Sequence, residues 1–540
     1  MAKGRVIMEF LNDDVSAIWT LHGERRINAF EAAYARFGAK MFSFSSFFRQ
    51  KDFFKLCQSL KSSPLLNKQS KRIQTVAVYQ KHYQFGGGER CISYQMPIFK
   101  ALGFNVVFIT DWDSSTDAYV TPKGVKRLIF GEENAIDVRG ENLGKRCELW
   151  HKFIKEHNID AVLHSYTWHD NNLLDFLSIR SAGAYVIYCM HSIFTTPLYR
   201  SSHAFYQFSN AIQFVDSLIA LSRADQRFYA LCRRRAYYIP DKPTFEKLPE
   251  SLKYEASKKI NCLWCARIAP AKSPLEVVPI FKKIHDRIPS ATLTILGDTI
   301  QMKASQRLKE QMKTQERSFG LSGAIEWVGC KTDVNPYFEK ADLLLVTSNR
   351  EGFSLVILEA YAHGLPVVAY EMPYLETLKD EKASRCVPQG DQQAAAEAAI
   401  ELLTNPEVYR EASQAARKVA ETFMDFDQAA AWKKVIEELP QPYTPQETEA
   451  DQIDRVMLET ILLHGTWARL PQQTQNQLVQ TRKQLAAAQT ELRKLRATRA
   501  WRIGRAVTFL PRKAKGGIKC LRENGLCYTL RRAVKKVLRH

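Results

Sequence analysis

The sequence lacks any apolar run approaching the roughly 20 residues that a membrane-spanning helix needs, although 45% of its 540 residues are hydrophobic. Near its start, Glu9, Asp13 and Asp14 interrupt any apolar segment of a secretory signal peptide. These two absences predict a protein that stays in the cytosol.

Cysteine is present but follows no pattern. The eleven cysteines are odd in number and irregularly spaced, which favours reduced thiols over a disulfide framework. Cys262 and Cys265 form a C-x-x-C, but they fall in a predicted strand, where residues three apart point to opposite faces. We therefore expect buried structural thiols rather than a zinc or redox site.

Acidic residues are scarce at one end of the chain. Residues 471–540 hold eighteen Arg and Lys but two acids, Glu491 and Glu523, so sixteen of the twenty net positive charges lie there. Within residues 499–540 the cations alternate with aromatic and aliphatic residues. Apolar side chains can enter a lipid interface, and each cation near anionic lipid contributes about 1 kcal/mol. This tail predicts attachment to an anionic membrane surface; nucleic acid is the competing, less favoured partner.

A chain of 540 residues exceeds one hydrophobic core, and its pattern changes several times. Alternating strands and helices occur twice, which predicts two doubly wound α/β domains that face one cleft. The expected segments are a Phe-rich helical extension (1–72), a first Rossmann-like domain (73–240), a linker (241–258), a second Rossmann-like domain with a crossover helix (259–440), a linker (441–471), a short coiled-coil-like helix (472–498) and the basic amphipathic tail (499–540).

Two of these segments carry further expectations. Residues 1–72 are expected to pack on the first domain, with a membrane- or partner-docking surface as the alternative. Leu478, Leu485 and Leu492 recur every seven residues, as in a coiled coil, although the pattern is short. Residues 472–498 are therefore a candidate for homo-oligomer formation.

Two glutamates in the second domain give the clearest indication of chemistry. Glu351 lies in a loop after an apolar strand at residues 342–346, and Glu359 lies in the helix that follows. Ligands of open parallel sheets bind at the carboxyl ends of strands. Because a carboxylate accepts hydrogen bonds from two neighbouring hydroxyls, the pair predicts a sugar site. The alternative is two ordinary solvated acids stabilised by a helix dipole.

The spacing of Glu351 and Glu359, with Gly352-Phe353-Ser354 between them and Gly364-Leu365-Pro366-Val367-Val368 after them, resembles the donor site of family-4 retaining glycosyltransferases of the GT-B fold. The resemblance covers about residues 73–438. It implies transfer of a hexose from a nucleoside-diphosphate sugar, such as UDP- or GDP-hexose, with retention at the anomeric carbon.

The resemblance also implies roles within this donor loop. Glu351, with the amides of Gly352 and Phe353, is expected to orient the sugar hydroxyls and to be catalytic. Ser354 belongs to the same donor-binding loop, and Glu359 is expected to take the ribose hydroxyls.

A departing diphosphate also needs cations, because its charge is the largest that the reaction creates. Arg267 ends the first strand of the second domain, and Lys272 follows before a helix predicted at residues 274–288. Together they predict a phosphate clamp, although two surface cations are the alternative. The family carries glycine where this chain has Ala266. By the same resemblance, Gly329 lies near the nucleotide base.

The first domain contributes a glycine loop and a histidine. Gly86, Gly87 and Gly88 resemble the family's loop whose backbone amides approach phosphate or acceptor. His191 follows a buried strand and resembles a family histidine near the donor sugar, so it is a candidate catalytic residue. A satisfied histidine at the edge of the core is the alternative.

Three other features of the first domain bear on acceptor or metal binding. His164 and His169 follow another strand and are expected to help hold the acceptor. Asp111-Trp112-Asp113 imitates the metal-binding D-x-D of the other glycosyltransferase fold, but no further acid cluster follows. GT-B enzymes generally do without a catalytic metal, so the resemblance implies neither metal nor cofactor.

The basic end resembles those of bacterial glycosyltransferases of cell-surface polysaccharide assembly. This implies a glycan or lipid-linked acceptor and a cytoplasmic enzyme at the inner face of the plasma membrane. A catalytically inactive, glycosyltransferase-like scaffold at the membrane is the alternative. The four charged residues Arg267, Lys272, Glu351 and Glu359 argue for an enzyme.

Overall fold

The computed structural model describes residues 72–445, apart from 85, 137–141, 170, 200–201, 243–246, 250–251, 253–254, 300–302 and 332. The chain divides into two compact units, Met1–Leu458 and Glu459–His540. The predictions for the N-terminal extension up to residue 71, the coiled-coil-like helix and the basic tail lie outside the described residues.

The first sheet is parallel throughout and has the order β3-β2-β1-β4-β5-β6-β7. Its strands are β1 (Thr75–Gln80), β2 (Asn105–Thr110), β3 (Lys126–Ile129), β4 (Ala161–His164), β5 (Tyr185–Cys189), β6 (Ser217–Ala220) and β7 (Ala236–Tyr238). Every residue of β1 is buried, because helices cover both faces of such a sheet. The helices are α1 (Gly87–Ala101), α2 (Asn142–Glu156), α3 (Asn172–Ser181), α4 (Ser202–Ala211) and α5 (Arg223–Leu231).

The second sheet is also parallel and has the order β10-β9-β8-β11-β12-β13. Its strands are β8 (Asn261–Cys265), β9 (Thr292–Leu296), β10 (Ile325–Gly329), β11 (Leu343–Val346), β12 (Val367–Tyr370) and β13 (Ser384–Val387). The helices are α6 (Val277–Arg287), α7 (Lys303–Ser318), α8 (Asn335–Lys340), α9 (Leu355–Ala362), α10 (Gln392–Thr404), α11 (Pro406–Met424) and α12 (Gln428–Glu438). The prediction of two doubly wound domains is confirmed.

The hydrophobic core lies on both faces of the second sheet, and successive side chains of β8 point to opposite faces. Cys262 and Trp264 belong to the cluster on one face, whereas Leu263 lies in the cluster on the other and Cys265 packs against that cluster. Cys262 and Cys265 are both free thiols on opposite faces, as the strand period predicts.

The final helix, α12, crosses back onto the first domain. Trp432 packs edge-on against Phe99 of α1, with 5.0 Å between ring centroids. The Gln428 side chain donates a hydrogen bond of 2.6 Å to the Pro240 carbonyl oxygen. The helix that ends the second domain therefore packs against the first domain.

The edge strand β3 has no apolar signal in the sequence. Its end residues, Lys126 and Ile129, are exposed, and its middle residues, Arg127 and Leu128, are half-buried. Within the part of the chain that the structure describes, no helix is both long and apolar enough to cross a bilayer.

In each sheet the strand order reverses at one point, between β1 and β4 and between β8 and β11. Ligands of doubly wound sheets bind at such a point, beyond the carboxyl ends of the strands. The predicted glycine loop follows β1, the predicted cations follow β8, and Glu351 follows β11.

Candidate functional site

Lys272 and Glu351 lie against each other where β8 and β11 end. The Lys272 Nζ is 2.5 and 2.7 Å from the two carboxylate oxygens of Glu351. The Ser348 hydroxyl donates a further hydrogen bond of 2.6 Å to the same carboxylate. The glutamate is 9% exposed, so an acid and a cation from separate loops share one sheltered position.

Backbone contacts fix this pair. The Asn349 amide donates to the Ala271 carbonyl oxygen at 3.0 Å, which ties the two loops together. The Thr347 hydroxyl donates to the Lys272 carbonyl oxygen at 2.8 Å. The Tyr374 hydroxyl accepts from the Glu351 amide at 3.0 Å and donates to the Glu351 carbonyl oxygen at 3.1 Å. The loops are therefore preorganised by their own polar groups.

The residues between the two glutamates form a tight turn into α9. Phe353 is buried and packs edge-on against Phe423, with 5.3 Å between centroids. Ser354 has a φ of +69°, and its buried hydroxyl has no hydrogen-bond partner among the described residues. A Cβ atom on Gly352 would lie 2.6 Å from the His191 carbonyl oxygen, closer than real Cβ contacts allow. Glycine therefore lets the second domain touch the first at this point.

Glu359 lies in α9, and its partner comes from the other domain. The Arg90 Nη1 atom, on α1, donates to Glu359 Oε1 at 2.7 Å. Burial raises the pKa of the Cys265 thiol; Glu359 raises it further, and Lys272 and Arg90 lower it. The charges of both loops and of α1 thus converge at the end of β8.

Arg267 is exposed. Burial would raise the pKa of Glu89, but hydrogen bonds from His82 and the backbone, together with the nearby charges of His82 and Arg267, lower that pKa below its usual range. The His82 Nδ1 is 3.2 Å from Glu89 Oε1. A Cβ on Gly86 would lie 2.1 Å from the Glu89 carboxylate, so the glycine loop leaves room for this acid. Lys272, Glu351 and Glu359 therefore lie near the end of β8, and Arg267 follows the same strand; these four residues are hereafter the candidate donor site.

Gly329 lies beside the same edge of the second sheet. It ends β10 with a φ of +76°, and its carbonyl oxygen accepts from the Gly297 amide at 2.9 Å. A Cβ on Gly297 would lie 2.1 Å from the Ala266 carbonyl oxygen. The ends of β8, β9 and β10 are thus packed through backbone, and the base-binding role of Gly329 stays a prediction.

His191 lies between the glycine loop and Gly352. It has a φ of +48°, and a Cβ on Gly88 would lie 3.2 Å from its ring. The His191 Nε2 is 2.5 Å from the Ser165 hydroxyl, and its buried Nδ1 has no partner among the described residues.

Behind His191 are two buried groups, Cys91 and Asp241, and the three donor atoms lie within 4.8 Å of one another. Burial raises the pKa of Asp241, against the opposing charge of His191 and hydrogen bonds from Cys91 and Tyr94. This set has the donor types to hold a metal ion. No motif in the sequence indicates this set, because the residues come from α1, the end of β5 and the interdomain connector.

The prediction that His164 helps to hold the acceptor is wrong. His164 is fully buried, and its Nε2 is 3.2 Å from Asp175. Arg146 donates to Asp175 at 2.8 Å and to Asp111 at 2.7 Å. Burial, which is only partly offset by Asp175, lowers the pKa of His164. This network fills the first-domain core, so His164 cannot reach a ligand in the cleft.

The D-x-D motif does not place its acids together. Asp111 is buried and accepts hydrogen bonds from Arg146 and the Ile136 amide, whereas Asp113 is exposed and caps the turn at Ser115. His169 is half-buried and accepts from the Asn171 amide at 3.3 Å. Its role toward an acceptor stays a prediction.

No role was predicted for Glu89 and Arg90, which directly follow the predicted glycine loop. The available signal was the Glu89-Arg90 pair itself, two charges where a helix begins. The groups that Glu89 and Arg90 contact are determined by the packing of the two domains against each other.

Residues 247–419 match the family model of glycosyl transferases group 1. The chain is 28% identical over 251 residues to the GtfA subunit of the UDP-N-acetylglucosamine–peptide N-acetylglucosaminyltransferase of Streptococcus gordonii, covering 43% of this chain and 47% of that protein. It is 28% identical over 169 residues to the poly(glycerol-phosphate) alpha-glucosyltransferase of Bacillus subtilis, covering 31% and 24%. The chain thus spans about half, or less, of the length of these curated relatives.

Solved structures extend the likeness to the fold. Anabaena HepE in complex with UDP and glucose superposes with a TM-score of 0.56 at 18% identity, covering 68% of this chain and 99% of that one. The pneumococcal O-GlcNAc transferase GtfA in complex with UDP and GlcNAc superposes with a TM-score of 0.53 at 13% identity, covering 69% and 100%. The fold is GT-B, and its second domain carries the sequence pattern of group 1 glycosyl transferases.

Proposed function

We propose that this protein transfers a hexose from a nucleoside-diphosphate sugar, with retention at the anomeric carbon, to a glycan or lipid-linked acceptor. The observation that carries the proposal is the candidate donor site: two acids and two cations around the carboxyl ends of β8 and β11. The complexes of its structural neighbours with UDP support UDP as the first nucleotide to test, with GDP as the second.

Each charge has a chemical task in this reaction. Arg267 and Lys272 stabilise the departing diphosphate, since its charge grows as the glycosidic bond breaks. Glu351, with the amides of Gly352 and Phe353, accepts and orients the sugar hydroxyls. Glu359 accepts hydrogen bonds from the ribose hydroxyls. Lys272 neutralises Glu351, so a donor must draw the ammonium toward its phosphates.

The proton follows the leaving group. The acceptor hydroxyl attacks on the face that the diphosphate leaves, and the leaving phosphate oxygen takes the proton of that hydroxyl. His191 lies beside Gly352 and Gly88, so it is placed to contact the sugar between the domains. Because Arg267 and Lys272 supply the positive charge, the reaction needs no metal ion or other cofactor.

The acceptor is proposed to be a component of a cell-surface polysaccharide or a related lipid-linked glycan. Relatives named for poly(glycerol-phosphate) glucosylation and exopolysaccharide phosphotransfer support this class. Residues 499–540 would hold the enzyme to the inner face of the plasma membrane, without a role in binding nucleic acid. Flotation of the full chain and of a chain lacking residues 499–540 with anionic liposomes tests that attachment, and loss of flotation only for the truncated chain is expected.

The experiment that tests the activity uses purified full-length protein and a panel of UDP- and GDP-hexoses. Release of nucleoside diphosphate from one donor, together with an NMR spectrum showing the α-anomeric product from an α-linked donor, is expected. Tight binding of a donor without any release of diphosphate would favour the inactive scaffold instead. A product of inverted configuration would contradict retention.

A further inference from the structure

The ion pair between Arg90 and Glu359 joins the two domains. Arg90 lies in the first turn of α1, and Glu359 lies in α9 of the second domain, 2.7 Å away between Nη1 and Oε1. The Glu359 side chain is 5% exposed and that of Arg90 is 26% exposed. A nearly buried acid of one domain is thus neutralised by a cation of the other.

The neighbouring acid of the same loop differs in this respect. Glu351 is neutralised by Lys272, and both belong to the second domain. Removing the cation from a buried carboxylate leaves an uncompensated charge, which costs several kcal/mol or forces the acid to take up a proton. Glu351 is therefore paired with a cation of its own domain, whereas Glu359 is paired with a cation of the other domain.

Other contacts show that the two domains meet here. The backbone of Gly352 is so close to His191 that a Cβ atom would not fit. The Arg223 amide, at the start of α5, donates to Glu376 Oε1 of the second domain at 2.9 Å. Arg90 therefore reaches Glu359 as part of a closed interface.

We propose that Arg90 is a positioning residue for ribose recognition. Its guanidinium takes Oε1 of Glu359 and fixes the rotamer of the carboxylate, so that the acid is held in place for the ribose hydroxyls. Ribose recognition then depends on domain closure, because the first domain supplies the cation that the acid needs. The inference rests on the proposed function, in which Glu359 binds ribose.

The experiment compares two ligands that differ only in the groups that Glu359 would bind. A nucleoside diphosphate (UDP, or GDP if the wild type prefers it) and its 2′,3′-dideoxy analogue are titrated calorimetrically into the full-length wild type, Arg90→Gln and Arg90→Lys. Arg180→Gln is the matched control: Arg180 is 25% exposed and pairs with Asp216 of the same domain. Thermal unfolding midpoints are recorded for each variant.

Arg90→Gln is expected to weaken binding of the ribonucleotide about 10- to 100-fold, the range for a hydrogen bond to a charged group. Binding of the dideoxy analogue should change less than about twofold, and KM for the donor should rise more than kcat falls. Arg90→Lys, which keeps the charge, should restore part of the discrimination even if Arg90→Gln folds poorly. Arg180→Gln should leave both affinities unchanged.

Two results would overturn the inference alone. Equal weakening of both ligands would mean that Arg90 acts on the phosphates or on the fold. Tighter ribonucleotide binding by Arg90→Gln would mean that the ion pair competes with ribose. Absence of binding of either nucleotide to the wild type would overturn the proposed function as well.

Discussion

The first domain and the candidate donor site hold their charges in different ways. In the first domain, Arg146 lies between Asp111 and Asp175, and all three side chains are at most 3% exposed. In the donor site, Lys272 and Arg90 are 20% and 26% exposed, while the acids they pair with are sheltered. The first network is enclosed in the core, so it is structural. In the second, Lys272 reaches solvent and can turn toward a ligand, while Arg90 holds Glu359.

The largest effect should come from breaking the structural network. Arg146→Ala leaves two acids without their cation in the core, and we expect the free energy of unfolding in urea to fall by about 3–5 kcal/mol. Stability within about 1 kcal/mol of the wild type would contradict the division between structural and ligand-binding charges.

In the donor site we expect a substitution to reduce activity and to leave stability unchanged. Arg267 is exposed, so Arg267→Ala should leave the unfolding midpoint unchanged. The value of kcat/KM should fall roughly 100-fold, which corresponds to a loss of about 3 kcal/mol of transition-state stabilisation. Arg287→Ala, an exposed arginine at the end of α6, is the matched control. A loss of stability without a loss of turnover would reverse the assignment.

A further buried acid, Asp225, should make the stability of the first domain depend on pH. Burial raises the pKa of Asp225 to about 6 from its ordinary value of 3.8, although hydrogen bonds from Ser222 and the Phe194 amide oppose the rise. Because the folded pKa exceeds the unfolded one, stability relative to Asp225→Asn is fully present below about pH 4. It should fall by roughly 2 to 3 kcal/mol as pH rises through 6. A pH-independent difference between the two proteins in urea titrations would contradict this.

The smallest effect is expected from removing metal ions. Because arginine and lysine neutralise the diphosphate, removing divalent cations with EDTA should change turnover less than about twofold. A large loss restored by Zn²⁺ would instead assign a metal to Cys91, His191 and Asp241, whose donor atoms lie within 4.8 Å of one another. Cys91→Ser should then abolish the rescue.

The local pattern of apolar residues is enough to predict most of the fold. Strands such as Ala161–His164 and Asn105–Thr110 carry an apolar signal in the sequence, because buried parallel strands are short apolar runs between turns. The edge strand Lys126–Ile129 escaped for the converse reason: with one neighbour and partly exposed side chains, it needs no apolar run.

The donor site was partly predictable because its members follow strand ends. Position along the chain is enough to bring Arg267, Lys272 and Glu351 to one edge of a parallel sheet. It could not distinguish His164, whose strand end turns into the core, from His191, which lies against Gly88 and Gly352. Nor could it pair Arg90 with Glu359, 269 residues apart, since that contact exists only between domains.

The central claim is that the donor-site charges perform sugar transfer, and Glu351 tests it most directly. With a donor that the wild type turns over, diphosphate release by Glu351→Ala should fall at least about 100-fold at unchanged unfolding midpoint, as for loss of a group that acts in the transition state. Glu326→Ala, an exposed glutamate on β10 of the same domain, should keep full turnover. Undiminished release by Glu351→Ala would contradict the claim.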